Sequence, residues 1–198
     1  MTLAPPLPDA LFLPQSHYRR MRWKNGAGWT SEIALEPGDD NQFAWRISIA
    51  EIDADSDFSI FPGVDRTLVV LSGGGMVLDM AGSDSVELRP LQNPFVFPGE
   101  TTIRARLAAG STRDFNVMTR RSVYEHRLAL HPFGTSQSMT RNDETAVFLY
   151  VLEGSLWGAA PGDSWLVPRG KTTTLHLPPD AALITVQLQN KLIAAMAQ

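Results

Sequence analysis

FSIFPGVDRTLVVLSGGGM, residues 58–76, is the stretch whose reading decides the fold. Phe58 and Phe61 flank a Pro62-Gly63 corner, Asp65 and Arg66 follow as adjacent opposite charges, and Thr67 to Leu71 is a β-branched, apolar run. Gly73, Gly74 and Gly75 stop it. A run this short, bounded by turn residues and rich in side chains stiff at χ1, predicts a buried strand and not a helix. The same grammar recurs outward from it. Thr30 to Leu35 alternates, and so does the next segment, with Phe43, Trp45, Ile47 and Ile49 on one face and Arg46, Ser48 and Ala50 on the other. Met76 to Met80 and Val86 to Leu88 predict a hairpin; Phe95 to Phe97, Thr102 to Leu107 and Arg113 to Arg120 predict further strands. Only Asn190 to Gln198 reads as a short helical turn, so the fold class is all-β with little helix.

At 198 residues, 43% hydrophobic and 19% charged, the chain has the composition of a globular protein with a real core. Its net charge is -4, and its densest basic group, Arg19, Arg20, Arg22 and Lys24, is too short to track a phosphate backbone, so no nucleic-acid partner is expected. The absence of cysteine excludes disulfides, thiolate catalysis and Cys-ligated zinc. MTLAPPLPDALFLPQ, residues 1–15, lacks a basic n-region and is interrupted by prolines; it reads as an extended arm and not as a signal peptide. Apolar runs of about five residues are far below a membrane span, and a cytoplasmic location without membrane partners is the expectation.

The chain repeats itself. TLVVLSGGGM (67–76) resembles FLYVLEGSLW (148–157), FVFPGETTIRARL (95–107) resembles WLVPRGKTTTLHL (165–177), and DFNVMTR (114–120) resembles LITVQLQ (183–189). Three matches in one order predict two copies of a β unit, residues 1–121 with the Pro-rich arm and residues 122–198, packed as one compact double cupin of two tandem small barrels. Gly162-Asp163 followed by Pro168 and Gly170 resembles the start of a cupin metal motif, but Thr173 stands where a histidine belongs. The histidines at 17, 126, 131 and 176 are scattered and no His-x-His is present, so no metal and no cofactor are expected.

WKNGAGWTSEI (23–33), FAWRISIAEI (43–52), residues 58–76 and DFNVMTRR (114–121) resemble the HutD/Ves family. The resemblance implies a double cupin without metal-binding histidines. It also implies an association, in many bacteria, with histidine catabolism in a regulatory or ligand-binding role.

The residues themselves offer four polar groups. Lys24, Asn25, Thr30 and Glu32 bracket a glycine turn whose amides could face an anion; the alternative is a plain hairpin with exposed polar side chains. Arg46 and Ser48 lie either on an outer surface or in a barrel mouth, where a guanidinium needs a carboxylate. Asp65 and Arg66 must face opposite ways, so one of them is expected to point at a pocket. Asn116 shares a face with Asp114, which is expected to form a structural salt bridge with Arg46 or Arg66. Trp23, Trp29, Trp45 and Phe61 could wall an apolar site or serve as core. The first functional reading is a non-enzymatic binder of a small anionic metabolite, for which the resemblance points to urocanate or N-formylglutamate. The alternative is a metal-free isomerase or hydrolase acting on a small carboxylate, with Glu32, Asp65 or His17 as acid or base, although no paired acid and base or nucleophile elbow is visible. A third is an interaction protein that forms a homodimer through exposed sheet edges.

Overall fold

The computed structural model describes residues 7–39 and 42–196. Asp40 and Asn41 of the expected loop, the first six residues of the arm and the last two residues lie outside them. In chain order the strands are β1 (Leu11–Leu13), β2 (Arg19–Arg22), β3 (Gly28–Pro37), β4 (Phe43–Ile52), β5 (Ser56–Asp57), β6 (Val64–Gly73), β7 (Met76–Met80), β8 (Val86–Leu88) and β9 (Phe95–Pro98). They continue with β10 (Ile103–Leu107), β11 (Thr112–Arg120), β12 (Tyr124–His131), β13 (Gln137–Arg141), β14 (Thr145–Gly154), β15 (Ser164–Val167), β16 (Thr173–Leu177) and β17 (Ala181–Asn190). One helix, α1 (Lys191–Met196), ends the described chain, capped by Asn190 Oδ1, which accepts from the amides of Leu192 and Ile193.

The chain forms two compact units. Tyr18–Ser122 is built of a six-stranded sheet in the order β2-β3-β4-β11-β6-β9 and a four-stranded sheet in the order β5-β10-β7-β8. Its core draws on both: Ala50, Ile52, Leu68 and Val70 from the large sheet meet Met76, Leu78, Ile103 and Ala105 from the small one. The alternation seen in β4 is real, but the second face is buried too, since Ile47, Ile49, Phe115 and Val117 are all inaccessible. A sheet buried on both faces explains why β6 reads as a near-continuous apolar run.

The other unit joins residues 7–17 with residues 123–196. Its five-stranded sheet runs β1-β15-β14-β17-β12, and β13 pairs with β16. The arm was expected with the N-terminal barrel, and here the structure differs. β1 adds an edge strand to β15 with Leu11 opposite Leu166, the Phe12 ring lies 5.1 Å from that of Trp165, and Asp9 Oδ2 meets Arg141 Nη1 at 2.5 Å. Arg141 is buried, and a buried guanidinium needs a carboxylate; the arm supplies it.

The sequence repeat is matched by register. Val70 pairs with Asp114 across β6 and β11, and Val151 with Leu183 across β14 and β17; each ladder shifts register at this point. Each first strand ends in a glycine at positive φ, Gly73 at 96° and Gly154 at 78°. An added Cβ at Gly73 would stand 2.2 Å from the Ser111 carbonyl oxygen, and one at Gly154 2.1 Å from that of Asp180. Glycine is required there both for conformation and for the close approach of the neighbouring chain.

Candidate functional site

A cavity of about 530 Å3 opens in the Tyr18–Ser122 unit. The strand period places its polar residues. On the core-facing side of the large sheet, β4 presents Arg46, Ser48 and Ala50, β11 presents Asp114, Asn116 and Met118, and β6 presents Arg66. Ser48 stands opposite Asn116, Arg46 and Arg66 stand on either side of Met118, and Asp114 lies deeper, beside Ala50 and Val70. Phe58, Ser59 and Phe61 from the corner segment and Trp23 from the β2–β3 connection complete the wall.

Arg66 is the centre of this arrangement. It is 6% exposed, and its guanidinium sits 4.7 Å from the ring centre of Phe97, 5.2 Å from that of Phe58 and 5.6 Å from that of Phe61. Three ring faces give it cation–π stabilisation but accept few of its hydrogen bonds. Nη1 donates a long bond of 3.4 Å to the Ser59 carbonyl, and Nε has no partner among the described residues. Burial lowers its pKa to about 10; nearby Asp114 opposes that fall and the charge of Arg46 adds to it. Arg66 therefore stays charged at neutral pH, and among the described residues it makes no ion pair.

Asp114 differs from the expected salt bridge. It is 1% exposed, no ion pair joins it to Arg46 or Arg66 among the described residues, and its Oδ1 has no hydrogen-bond partner. The reason is competition. Arg46 Nε donates to Glu32 Oε2 at 2.8 Å, and Arg66 is held in its cage of rings. Burial pushes the Asp114 carboxyl up to about 7, against the pull of Arg66. Asn116 Oδ1, also buried, is likewise without a partner among the described residues.

Of the nine residues expected to bind a ligand, Lys24, Asn25, Thr30, Arg46, Ser48, Arg66 and Asn116 line this cavity. Glu32 and Asp65 do not. Glu32 is taken up by Arg46 and lies 4.0 Å from Arg19. Asp65, facing away from Arg66 as adjacent strand residues must, accepts from Arg121 Nε at 2.7 Å, and Arg121 also reaches Glu100. The glycine turn is not an open anion nest: the Gly26 amide donates to the Trp23 carbonyl and the Ala27 amide to Asn25 Oδ1. Thr30 Oγ1 accepts from Trp23 Nε1 at 2.8 Å. Of the four aromatic residues, Trp23 and Phe61 wall the cavity. Trp29 instead stacks under Arg20 and Arg22, and Trp45 Nε1 donates to Glu36. His17 belongs to the 3-10 turn Gln15–His17 of the other unit. Sequence reasoning missed Ser59, Phe97 and Asp57; aromatic residues brought by separate strands to one arginine have no linear spacing that would reveal them.

Among the described residues no group of three or more His, Cys, Asp or Glu side chains could hold a metal ion. The resemblance of residues 162–170 to a metal motif has a structural use here: Asp163 accepts from the amides of Gln15 and Ala160. No helix among the described residues is long and apolar enough to cross a membrane.

Known structures resemble this chain along nearly its whole length. A HutD from Pseudomonas fluorescens SBW25 is 30% identical with a TM-score of 0.79, over 92% of this chain and 99% of that one. A conserved protein of unknown function from Pseudomonas aeruginosa PAO1 is 32% identical with a TM-score of 0.79, over 91% of this chain and 98% of that one. Protein Ylba from E. coli shares the fold alone, at 9% identity and a TM-score of 0.66 over 94% of this chain and 93% of that one. The architecture is thus all-β and cupin-type. The family model described as HutD matches residues 15–192, and the chain belongs to the HutD family.

Proposed function

We propose that this protein binds a small anionic metabolite in the cavity of the Tyr18–Ser122 unit, without chemistry of its own. The observation that carries this reading is the isolation of Arg66. Among the described residues the other buried arginine, Arg141, has Asp9, while half-buried Arg46 has Glu32 and half-buried Arg121 has Asp65 and Glu100. Arg66 is buried, charged and without an ion pair among the described residues, and Arg46 adds positive charge beside it. A ligand carboxylate would relieve the cost of that arrangement, through charge-assisted hydrogen bonds to the guanidinium. Ser48 and Asn116 would add neutral hydrogen bonds that set orientation.

The association of the HutD family with histidine breakdown makes urocanate and N-formylglutamate the leading candidates, and a sensing or regulatory role in that pathway follows from binding without turnover. We assign this role to the cytoplasm, which suits a chain without cysteine. Calorimetric titration with both compounds is expected to give saturable heat. Arg66→Leu should weaken it by about thirtyfold or more, as for other buried charged partners whose truncation costs about 2–5 kcal/mol. No heat with either compound would overturn the reading.

A second reading, a metal-independent enzyme acting on a small carboxylate, is favoured by one observation. Asp114 carries a carboxyl pushed up to about 7 in the cavity wall, a value suited to proton transfer. Turnover in a metabolite screen, abolished by Asp114→Asn, would put this reading first.

A further inference from the structure

The cavity holds more charge than one arginine can neutralise once a ligand enters, and this inference rests on the binding role proposed above. Around Asp114, β4 contributes Arg46 and β6 contributes Arg66, while Arg22 of β2, Lys24 of the β2–β3 connection and Asp57 of β5 stand at the cavity wall. Arg46 is committed to Glu32, and Asp57 lies beside Arg104 at 3.3 Å. That leaves Arg66 as the inner cation facing Asp114. The two interact electrostatically, yet no ion pair closes between them among the described residues, so Asp114 Oδ1 and Arg66 Nε both remain without partners. An incoming carboxylate on Arg66 therefore shares the cavity wall with a second, buried carboxyl. Two ionised carboxylates about 5 Å apart at an effective dielectric constant of about 20 repel by an amount that lowers affinity by of the order of a hundredfold.

We propose that the site takes up its carboxylate ligand together with one proton, which Asp114 acquires from solvent and donates as an O–H···O hydrogen bond to the ligand. Protonation removes the repulsion, converts an unpartnered acceptor into a donor, and leaves the Arg66 cation to balance the ligand alone. The only bonding change is a proton transfer: an O–H bond forms on the Asp114 carboxylate as the corresponding bond of a buffer acid in solvent breaks, and the conjugate base stays in solution. The buried position of the group, whose carboxyl is already raised to about 7, keeps the cost of that proton small near neutrality.

The test uses carboxylates that do not titrate near neutrality, N-formylglutamate and acetate, with calorimetry in phosphate and in Tris, whose ionisation enthalpies differ. Proton uptake by the wild-type protein should approach one per ligand at about pH 8.5 and fall towards zero at about pH 5.5, where Asp114 is already protonated. Affinity should drop about tenfold per pH unit above about pH 7 and level off below it. Asp114→Asn, whose amide donates without a proton from solvent, should bind with no proton exchange and a flat pH profile. If that variant fails to fold, the wild-type proton count decides. Binding without proton uptake, or with proton release, overturns the inference and leaves the anion-binding role intact; absence of binding by N-formylglutamate, acetate and urocanate alike overturns both.

Discussion

The two units place different chemistry on equivalent strands. By register, Arg66, Leu68 and Val70 on β6 correspond to Val147, Leu149 and Val151 on β14, and Asp114 and Asn116 on β11 correspond to Leu183 and Thr185 on β17. Phe97, which faces Arg66 across β9, corresponds to Val167, which faces Val147 across β15. In the second unit Val147, Val151, Val167 and Leu183 form part of one packed apolar core. Even its polar position is satisfied, since Thr185 Oγ1 lies 2.8 Å from His131 Nε2, while Asn116 Oδ1 has no partner. The second unit's buried arginine, Arg141, is matched by Asp9. A shared backbone thus carries a closed core in one copy and a polar cavity in the other. The difference comes down to a charge at two inward positions and rings to hold one of them. Unpaired polar groups are costly in a protein interior, so a site where three such atoms converge is maintained for something other than stability.

The comparison can be broken most forcefully by moving the charge. Val147→Arg sets a guanidinium into the second core with no ring cage and no free carboxylate, and it should destabilise the protein by about 4 kcal/mol or more, read as a fall in the urea midpoint. Its mirror image, Arg66→Val combined with Asp114→Leu, copies the second unit's residues into the first. It should abolish ligand binding and raise stability by about 1–4 kcal/mol, as replacing buried ionic groups with apolar ones has done elsewhere. A midpoint that falls instead would mean that Arg66 and Asp114 serve the fold.

A finer probe is pH. The Asp114 carboxyl is raised in the folded state to about 7, above its unfolded value of about 3.9. Between those values the folded state holds a proton that the unfolded state has lost, so this group makes stability fall as pH rises, by about 1.4 kcal/mol per unit, and adds nothing further above about 7. Glu100, held below the usual carboxylate range by the Arg121 hydrogen bond, has the opposite sign and acts at lower pH. Urea melts across about pH 4–7 should therefore show a decline in the wild type that Asp114→Asn removes.

How much of this could be read from the chain depended on how local each signal was. The strands around Thr67 to Leu71 and Phe43 to Ile49 announced themselves because alternation and glycine stops are short-range consequences of the pleat. The repeat gave the two-copy organisation for the same reason. Arg46, Ser48, Arg66 and Asn116 could be named because they are polar residues on inward positions of otherwise apolar strands. What stayed hidden were pairings. Nothing in the order of residues says that Arg46 reaches Glu32 and so leaves Asp114 alone, or that Arg121 takes Asp65. The arm was misassigned on the same ground: Leu11 to Leu13 precede the first unit in sequence, but the edge of β15 and the buried Arg141 of the second unit are what they satisfy.

The smallest effect sharpens the contrast within the first unit, between the cavity and the turn at its wall. If anion recognition lay in the turn amides, losing Asn25 would be severe. Those amides are already engaged, one with the Trp23 carbonyl and one with Asn25 Oδ1. Asn25→Ala removes a single exposed hydrogen bond of 3.0 Å to the Ala27 amide and should cost about 0.5–1 kcal/mol of stability. Ligand affinity should change by less than about threefold, because the buried guanidinium and not the turn carries the charge recognition. A loss comparable to that of Arg66→Leu would move the anion from the cavity to the turn, and with it the residue that distinguishes the two units.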